Sequence, residues 1–135
     1  SPKLYFCDTG LACSLLGIKS AKEIKGHWAK GALFENLILA DLMKNYYNKA
    51  ERPPLYFWRD NTGNEVDCLI EESNKLKPVE IKSSTTINNS FFKGINYYNK
   101  LSKNKGKDSF LIYGGNKSYL RKEANVLSWQ EIIKV

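Results

Sequence analysis

Residues 65–82, EVDCLIEESNKLKPVEIK, alternate apolar and polar on either side of Ser73-Asn74, the period-two pattern of an antiparallel hairpin with a tight turn. Placing the turn at Ser73-Asn74 pairs Glu72 with Lys75 and sets Asp67 opposite Glu80. On a regular ladder Val66, Cys68 and Ile70 then point one way and Glu65, Asp67 and Leu69 the other, so Asp67 and Glu80 share a face. Opposed residues bring their Cβ atoms to about 4.5–5.5 Å, where like charges destabilise a sheet. At that distance the repulsion is roughly 3 kcal/mol with an effective dielectric near 20. Folding does not require such a pair, whereas a divalent cation between the two carboxylates offsets it, since magnesium prefers hard carboxylate oxygens and water. Lys82 follows Glu80 by two residues and so joins the same face. A plainer reading stands beside this one. In it Glu65 and Lys82, which the same register opposes, form a cross-strand ion pair, and Asp67 and Glu80 splay apart at a solvated edge.

The rest of the chain supplies the elements around this hairpin. Ala32 to about Tyr46 carries Leu33, Phe34, Leu37, Ile38 and Leu42 at helical spacing, and Leu39, Ala40 and Met43 widen the stripe, so this helix packs on more than one side. Within it Glu35 has Ile38, Leu39 and Leu42 as its i+3, i+4 and i+7 neighbours. A carboxylate on an apolar face needs a partner or a metal; an acid in the first turn also favours the helix dipole without either. Arg52-Pro53-Pro54 stops the helix. Leu55 to Arg59 is short and aromatic-rich, as strands are, and residues 60–64 are turn chemistry. Beyond the hairpin come a helix from about Asn89 to Lys103, a strand from Ser109 to Tyr113, a strand near Val126 and a final helix opened by a Ser128…Glu131 capping box. Before the first long helix, Leu4 to Cys7 is extended, Asp8 or Thr9 caps a short helix through Leu11, Leu15 and Leu16, and Gly17 ends it. The order is αβββαβ with additions at both ends: an α/β domain with a mixed sheet flanked by helices. The strand–helix–strand succession implies a parallel crossover.

Composition narrows the function classes. The chain has 135 residues, 42% of them hydrophobic, enough for one packed core. Cys7, Cys13 and Cys68 are odd in number and lack the close spacing of zinc sites, which fits a reducing, cytoplasmic setting. No apolar run approaches the roughly 18 residues of a membrane span, and no leader pattern opens the chain. Its start at Ser1, running straight into an apolar segment, suggests a piece of something larger. The net charge is +7, and residues 75–107 hold eight lysines against the single acid Glu80, so the whole excess lies there. A basic surface of that kind attracts a polyanion such as DNA, the favoured reading; the plainer alternative is lysine-rich composition on solvated faces. Only Arg52, Arg59 and Arg121 belong to the residue type that dominates specific base contacts. His27, the sole histidine, suits a surface or capping role. The paired tyrosines Tyr46-Tyr47 and Tyr97-Tyr98, with Trp28, Trp58 and Trp129, read as core or interface anchors.

A helix glutamate, an aspartate on the second strand and Glu80-Ile81-Lys82 on the third resemble the PD-(D/E)XK nucleases, although the aspartate lacks the preceding proline. More narrowly, Leu4-Tyr5-Phe6-Cys7-Asp8-Thr9-Gly10-Leu11, Gly31-Ala32-Leu33-Phe34-Glu35-Asn36, Phe57-Trp58-Arg59, Glu65-Val66-Asp67 and Val79-Glu80-Ile81-Lys82-Ser83 resemble the uncharacterised C-terminal domain that follows an AAA+ ATPase module in bacterial and archaeal proteins. The resemblance implies a restriction-endonuclease-like fold over residues 31–135, preceded by an entry segment, 1–30, left from another module. It implies Mg²⁺ or Mn²⁺ held by Asp67, Glu80, the Ile81 carbonyl and Glu35, with Lys82 at the reacting phosphate. DNA would be the substrate, tracked by Lys93, Lys100 and Lys103, and the ATPase would lie upstream in the same parent chain. The alternative it leaves open is a non-catalytic module, the nuclease fold retained for DNA or protein binding.

Overall fold

A computed structural model describes Pro2–Val135. The hairpin is where periodicity places it: β2 (Glu65–Glu72) and β3 (Lys75–Lys82) pair antiparallel, with Glu72 opposite Lys75 and Cys68 opposite Val79. Ser73 and Asn74 both have positive φ, 50° and 62°, the backbone of a two-residue turn whose twist matches that of its strands. β1 (Leu55–Arg59) adds on the other side of β2. Beyond β3 the sheet continues with β4 (Phe110–Tyr113), parallel to β3 and reached through the helix α4 (Lys93–Ser102). The full order is β1-β2-β3-β4-β6-β5, six strands, with β6 (Asn125–Ser128) parallel to β4 and β5 (Tyr119–Leu120) antiparallel at the edge. β5 is too short for any periodicity to announce it.

Helices cover both faces. The long helix α3 (Lys30–Tyr47) lays Ile38, Leu39 and Leu42 on Cys68, Ile70, Val79, Ile81 and Ile112. On the opposite face α4 and the 3₁₀ turn before it bury Phe92 and Ile95 against Leu111, Tyr113 and Val126. Cover on both faces explains why β4 reads Phe-Leu-Ile-Tyr without alternation. The entry segment docks on α3: α1 (Thr9–Leu15), capped by the Asp8 carboxylate on the Leu11 amide, packs Ala12 with Ile18, Ala29 and Leu33. A single helical turn, α2 (Ala21–Ile24), completes the set.

Two expectations are corrected. Val66 does not share a face with Cys68 and Ile70; it packs with Leu69, Tyr98 and Trp58 on the α4 side. The cause is a bulge, because Tyr56 faces Leu69 while Trp58 faces Val66, so Phe57 alone stands against Asp67 and Cys68 together. A bulge shifts the alternation by one residue and re-aims the side chains beyond it. The final helix is a 3₁₀ segment, Trp129–Lys134, not a capping-box helix. The Ser128 hydroxyl does accept from the Gln130 amide, but Glu131 turns to Ser118 and Lys134, and the Ser128 amide is taken by the Ser118 hydroxyl. Trp28 is 84% exposed and stacks on His27 outside the core, while the His27 ring accepts the Ala29 amide, a capping role. Among the described residues no helix is long and apolar enough to cross a membrane.

Candidate functional site

The paired ladder of β2 and β3 stops at Cys68–Val79, one step short of Asp67 and Glu80. At that step the Ile81 amide donates to Asp67 Oδ2 at 2.8 Å, so a side chain replaces the backbone partner. The bulge turns Asp67 toward the α3 side, where it lines a small cavity with Tyr5, Leu39 and Met43. Glu80, between the α3-facing Val79 and Ile81, faces α4. The two carboxylates therefore do not share one face of a regular ladder, and the bulge is the reason. They still lie within electrostatic reach across the parting strands. Both are 7% exposed. Burial, then the charge of Asp67, raises the Glu80 carboxyl above its ordinary range. Burial, then the charge of Glu35, does the same to Asp67.

Lys82 meets Glu80, not Glu65: its Nζ donates to Glu80 Oε1 at 2.6 Å. Burial works against the lysine's charge, but Glu80, Asp67 and Glu35 together more than compensate and raise its pKa. The other oxygen, Glu80 Oε2, is buried and has no hydrogen-bond partner. It faces Gly94 on α4, where an added Cβ would lie 3.3 Å from Oε2 and 2.5 Å from the Glu65 carbonyl oxygen. Only glycine lets α4 approach the hairpin this closely. Gly94 is therefore part of the site, and a glycine inside a helical stretch is its one signal in sequence.

Glu35 borders the cluster from α3, and its partners come from the entry segment. The Tyr5 hydroxyl donates to Glu35 Oε1 at 2.7 Å, and Lys3 Nζ lies 3.4 Å from the same oxygen. Tyr5 lies in one of the stretches that carry the family resemblance, but nothing in sequence links it or Lys3 to Glu35. Lys3 also sits over the Phe57 ring, 4.5 Å from its centre. Burial, then the hydrogen bond to Glu35, holds the Tyr5 phenol far above its ordinary pKa. Among the described residues, no three His, Cys, Asp or Glu side chains form a group able to hold a metal by themselves. The site is thus two buried carboxylates, Asp67 and Glu80, that feel each other's charge from opposite sides of the parting strands, with Lys82 on one of them and Glu35 engaged by its own partners.

Of the lysines, Lys93 is exposed and adjoins Gly94 at the site, while Lys100 and Lys103 are exposed at the other end of α4, roughly 10–15 Å further along at 1.5 Å per residue. Ser83 and Ser84 come directly after β3; the Ser84 hydroxyl bonds Thr86, a local role. Cys68 is buried beneath the site, its thiol pushed up to about 12 by that burial.

Comparison with known proteins adds kinship without chemistry. Two uncharacterised mycobacterial proteins, from Mycobacterium bovis and Mycobacterium tuberculosis, are each 35% identical to this chain over 86 residues, 64% of its length. The aligned part is 19% of each relative, so the chain spans about a fifth of the length of the curated relatives it matches. No solved structure matches. The family described as a domain of unknown function, DUF4143, matches residues 30–132, from the start of α3 to the final 3₁₀ segment and so most of the chain, which belongs to that family.

Proposed function

We propose that this domain is a PD-(D/E)XK nuclease-like module that hydrolyses DNA phosphodiesters with Mg²⁺ or Mn²⁺, within a longer chain carrying an AAA+ ATPase. The αβββαβ order and the placement of Glu35, Asp67, Glu80 and Lys82 support the restriction-endonuclease-like reading. The observation that carries it is Glu80 Oε2: a buried carboxylate oxygen without a partner, on a carboxylate that feels the charge of a second buried one, Asp67. A buried polar atom without a partner is costly even where Lys82 balances the carboxylate's charge, and a hard cation is a ligand that such an oxygen suits.

The donor set fits the ion, because magnesium is commonly held by one or two carboxylates with waters completing the shell. Glu80, Asp67 and the Ile81 carbonyl are the groups that would hold it, and Glu35 would reach it through water. A bound Mg²⁺ supplies a Lewis acid and lowers the pKa of a coordinated water. Lys82 keeps one Glu80 oxygen fixed and places a cation where charge develops on the phosphate. Lys93, at the edge of the site, and Lys100 and Lys103, along α4, present cations to the flanking backbone.

The test is cleavage of plasmid and branched DNA with Mg²⁺ or Mn²⁺ by the native chain, Glu80→Ala and Lys82→Ala. Activity that disappears in both variants is expected; the same residual activity in all three would discard the chemistry. One observation favours a second reading, a non-catalytic DNA-binding or protein-binding module of the same ATPase: Glu35 is satisfied by Tyr5 and Lys3, and three acids do not gather by themselves. That reading predicts salt-dependent DNA binding with no cleavage under any metal.

A further inference from the structure

Residues 3–8 form no helix or ladder of their own, yet they lie in a defined place. Two consecutive residues of α3 hold them. The Asn36 side chain accepts the Phe6 amide at 2.7 Å and donates to the Phe6 carbonyl at 2.9 Å, supplying the donor and acceptor that a neighbouring strand would offer. Asn36 is 6% exposed and also donates to the Thr9 hydroxyl, so the clamp is buried and nearly all its capacity is used. Extended backbone sends alternate side chains to opposite sides. Leu4 accordingly points away, 87% exposed, while Lys3 and Tyr5 both reach Glu35. Tyr5 and Asp67 also line one small cavity.

We propose that Tyr5 is a positioning residue of the site: its hydroxyl fixes the rotamer of Glu35, and Asn36 fixes Tyr5 by clamping the backbone next to it. This rests on the metal reading above. A partly buried glutamate such as Glu35 still has several rotamers open to it, and restricting them costs conformational entropy each time a ligand must be met. The Tyr5 hydrogen bond settles that choice before a cation arrives. Hydrogen bonds to ligating carboxylates are the usual way a fold orients them. Because it engages only Oε1, Oε2 stays free for the cation or its water. The entry segment thereby becomes a wall of the site.

The experiment is calorimetric titration of the full chain with Mn²⁺, alone and as Asp67→Asn, Tyr5→Phe, Glu35→Gln and the Tyr5→Phe/Glu35→Gln double variant, with melting of each metal-free protein alongside. Tyr5→Phe keeps the ring and removes one hydroxyl, so its fold is expected to persist. Its Mn²⁺ affinity is expected to fall about tenfold, the low end for removal of outer hydrogen bonds at metal sites, and the double variant is expected to bind no more weakly than Glu35→Gln alone. Asn36→Ala, which releases the clamp without touching Tyr5 or Glu35, is expected to weaken Mn²⁺ in the same direction and serves if Tyr5→Phe does not fold. Binding by Tyr5→Phe equal to that of the native chain, with Asp67→Asn abolished, overturns the positioning role and leaves the metal reading intact. A native chain that binds no Mn²⁺, or an Asp67→Asn variant that binds it as the native chain does, overturns both. Additive losses in the double variant also overturn it, since Tyr5 would then act by a route other than Glu35.

Discussion

The Ile81 amide donates to Asp67 Oδ2 at 2.8 Å across the point where β2 and β3 part. One carboxylate oxygen is thereby spent on the fold. Asp67→Ala leaves a buried amide with no partner, which costs about 1–3 kcal/mol. Asp67→Asn keeps an acceptor oxygen and removes the charge that raises Glu80, so it is expected to unfold near the native denaturant midpoint, as circular dichroism in urea will show. A midpoint for Asp67→Asn as low as that of Asp67→Ala would mean that the charge, and not the acceptor, holds the strand.

Stability should depend on pH in an inverted sense. Glu80 is pushed up to about 7 and Asp67 to about 6, chiefly by burial. A carboxyl with a raised folded pKa binds its proton more tightly when folded, so the folded state is favoured below the unfolded value near 4 and loses that advantage as pH climbs through the folded value. Metal-free protein is therefore expected to lose a few kcal/mol between about pH 4 and 7 from these groups. Glu80→Gln should flatten that slope. Melting curves from pH 4 to 8 decide it; a native slope unchanged in Glu80→Gln removes Glu80 as the source.

Gly94→Ala places a methyl group 2.5 Å from the Glu65 carbonyl oxygen. Backbone cannot yield as a side-chain tip does, so α4 must back away from the hairpin. A loss of about 1–3 kcal/mol is expected, despite the gain in helix propensity of up to about 1 kcal/mol that alanine brings. Net stabilisation would show that α4 has room to shift.

Lys93→Gln, Lys100→Gln and Lys103→Gln should weaken DNA binding without altering fold, since all three side chains are exposed. Removing a cation that neutralises one phosphate is expected to reduce the slope of log affinity against log salt by about 0.9 on duplex DNA. Lys93, next to Gly94, should affect cleavage as well as binding. Fluorescence anisotropy at several salt concentrations checks this; three variants with the native slope place DNA elsewhere.

Much of the architecture is legible in residue order. The hairpin register comes from Ser73-Asn74 and the alternation around it, because a turn needing two positive φ angles leaves few residue choices. Element order comes from helical and strand spacing in long segments, and the candidate acids from charges on otherwise apolar faces. Tertiary structure alone decides how those acids meet. The bulge opposite Phe57 shifts the alternation at Asp67 and sends it away from the face that a regular ladder implies; nothing local in Glu65-Val66-Asp67-Cys68 demands that extra residue, which depends on how β1 pairs. Glu35's partners are equally hidden. Tyr5 lies 30 residues away along the chain, and a hydrogen bond between residues so far apart exists only once Asn36 has fastened the entry segment to α3.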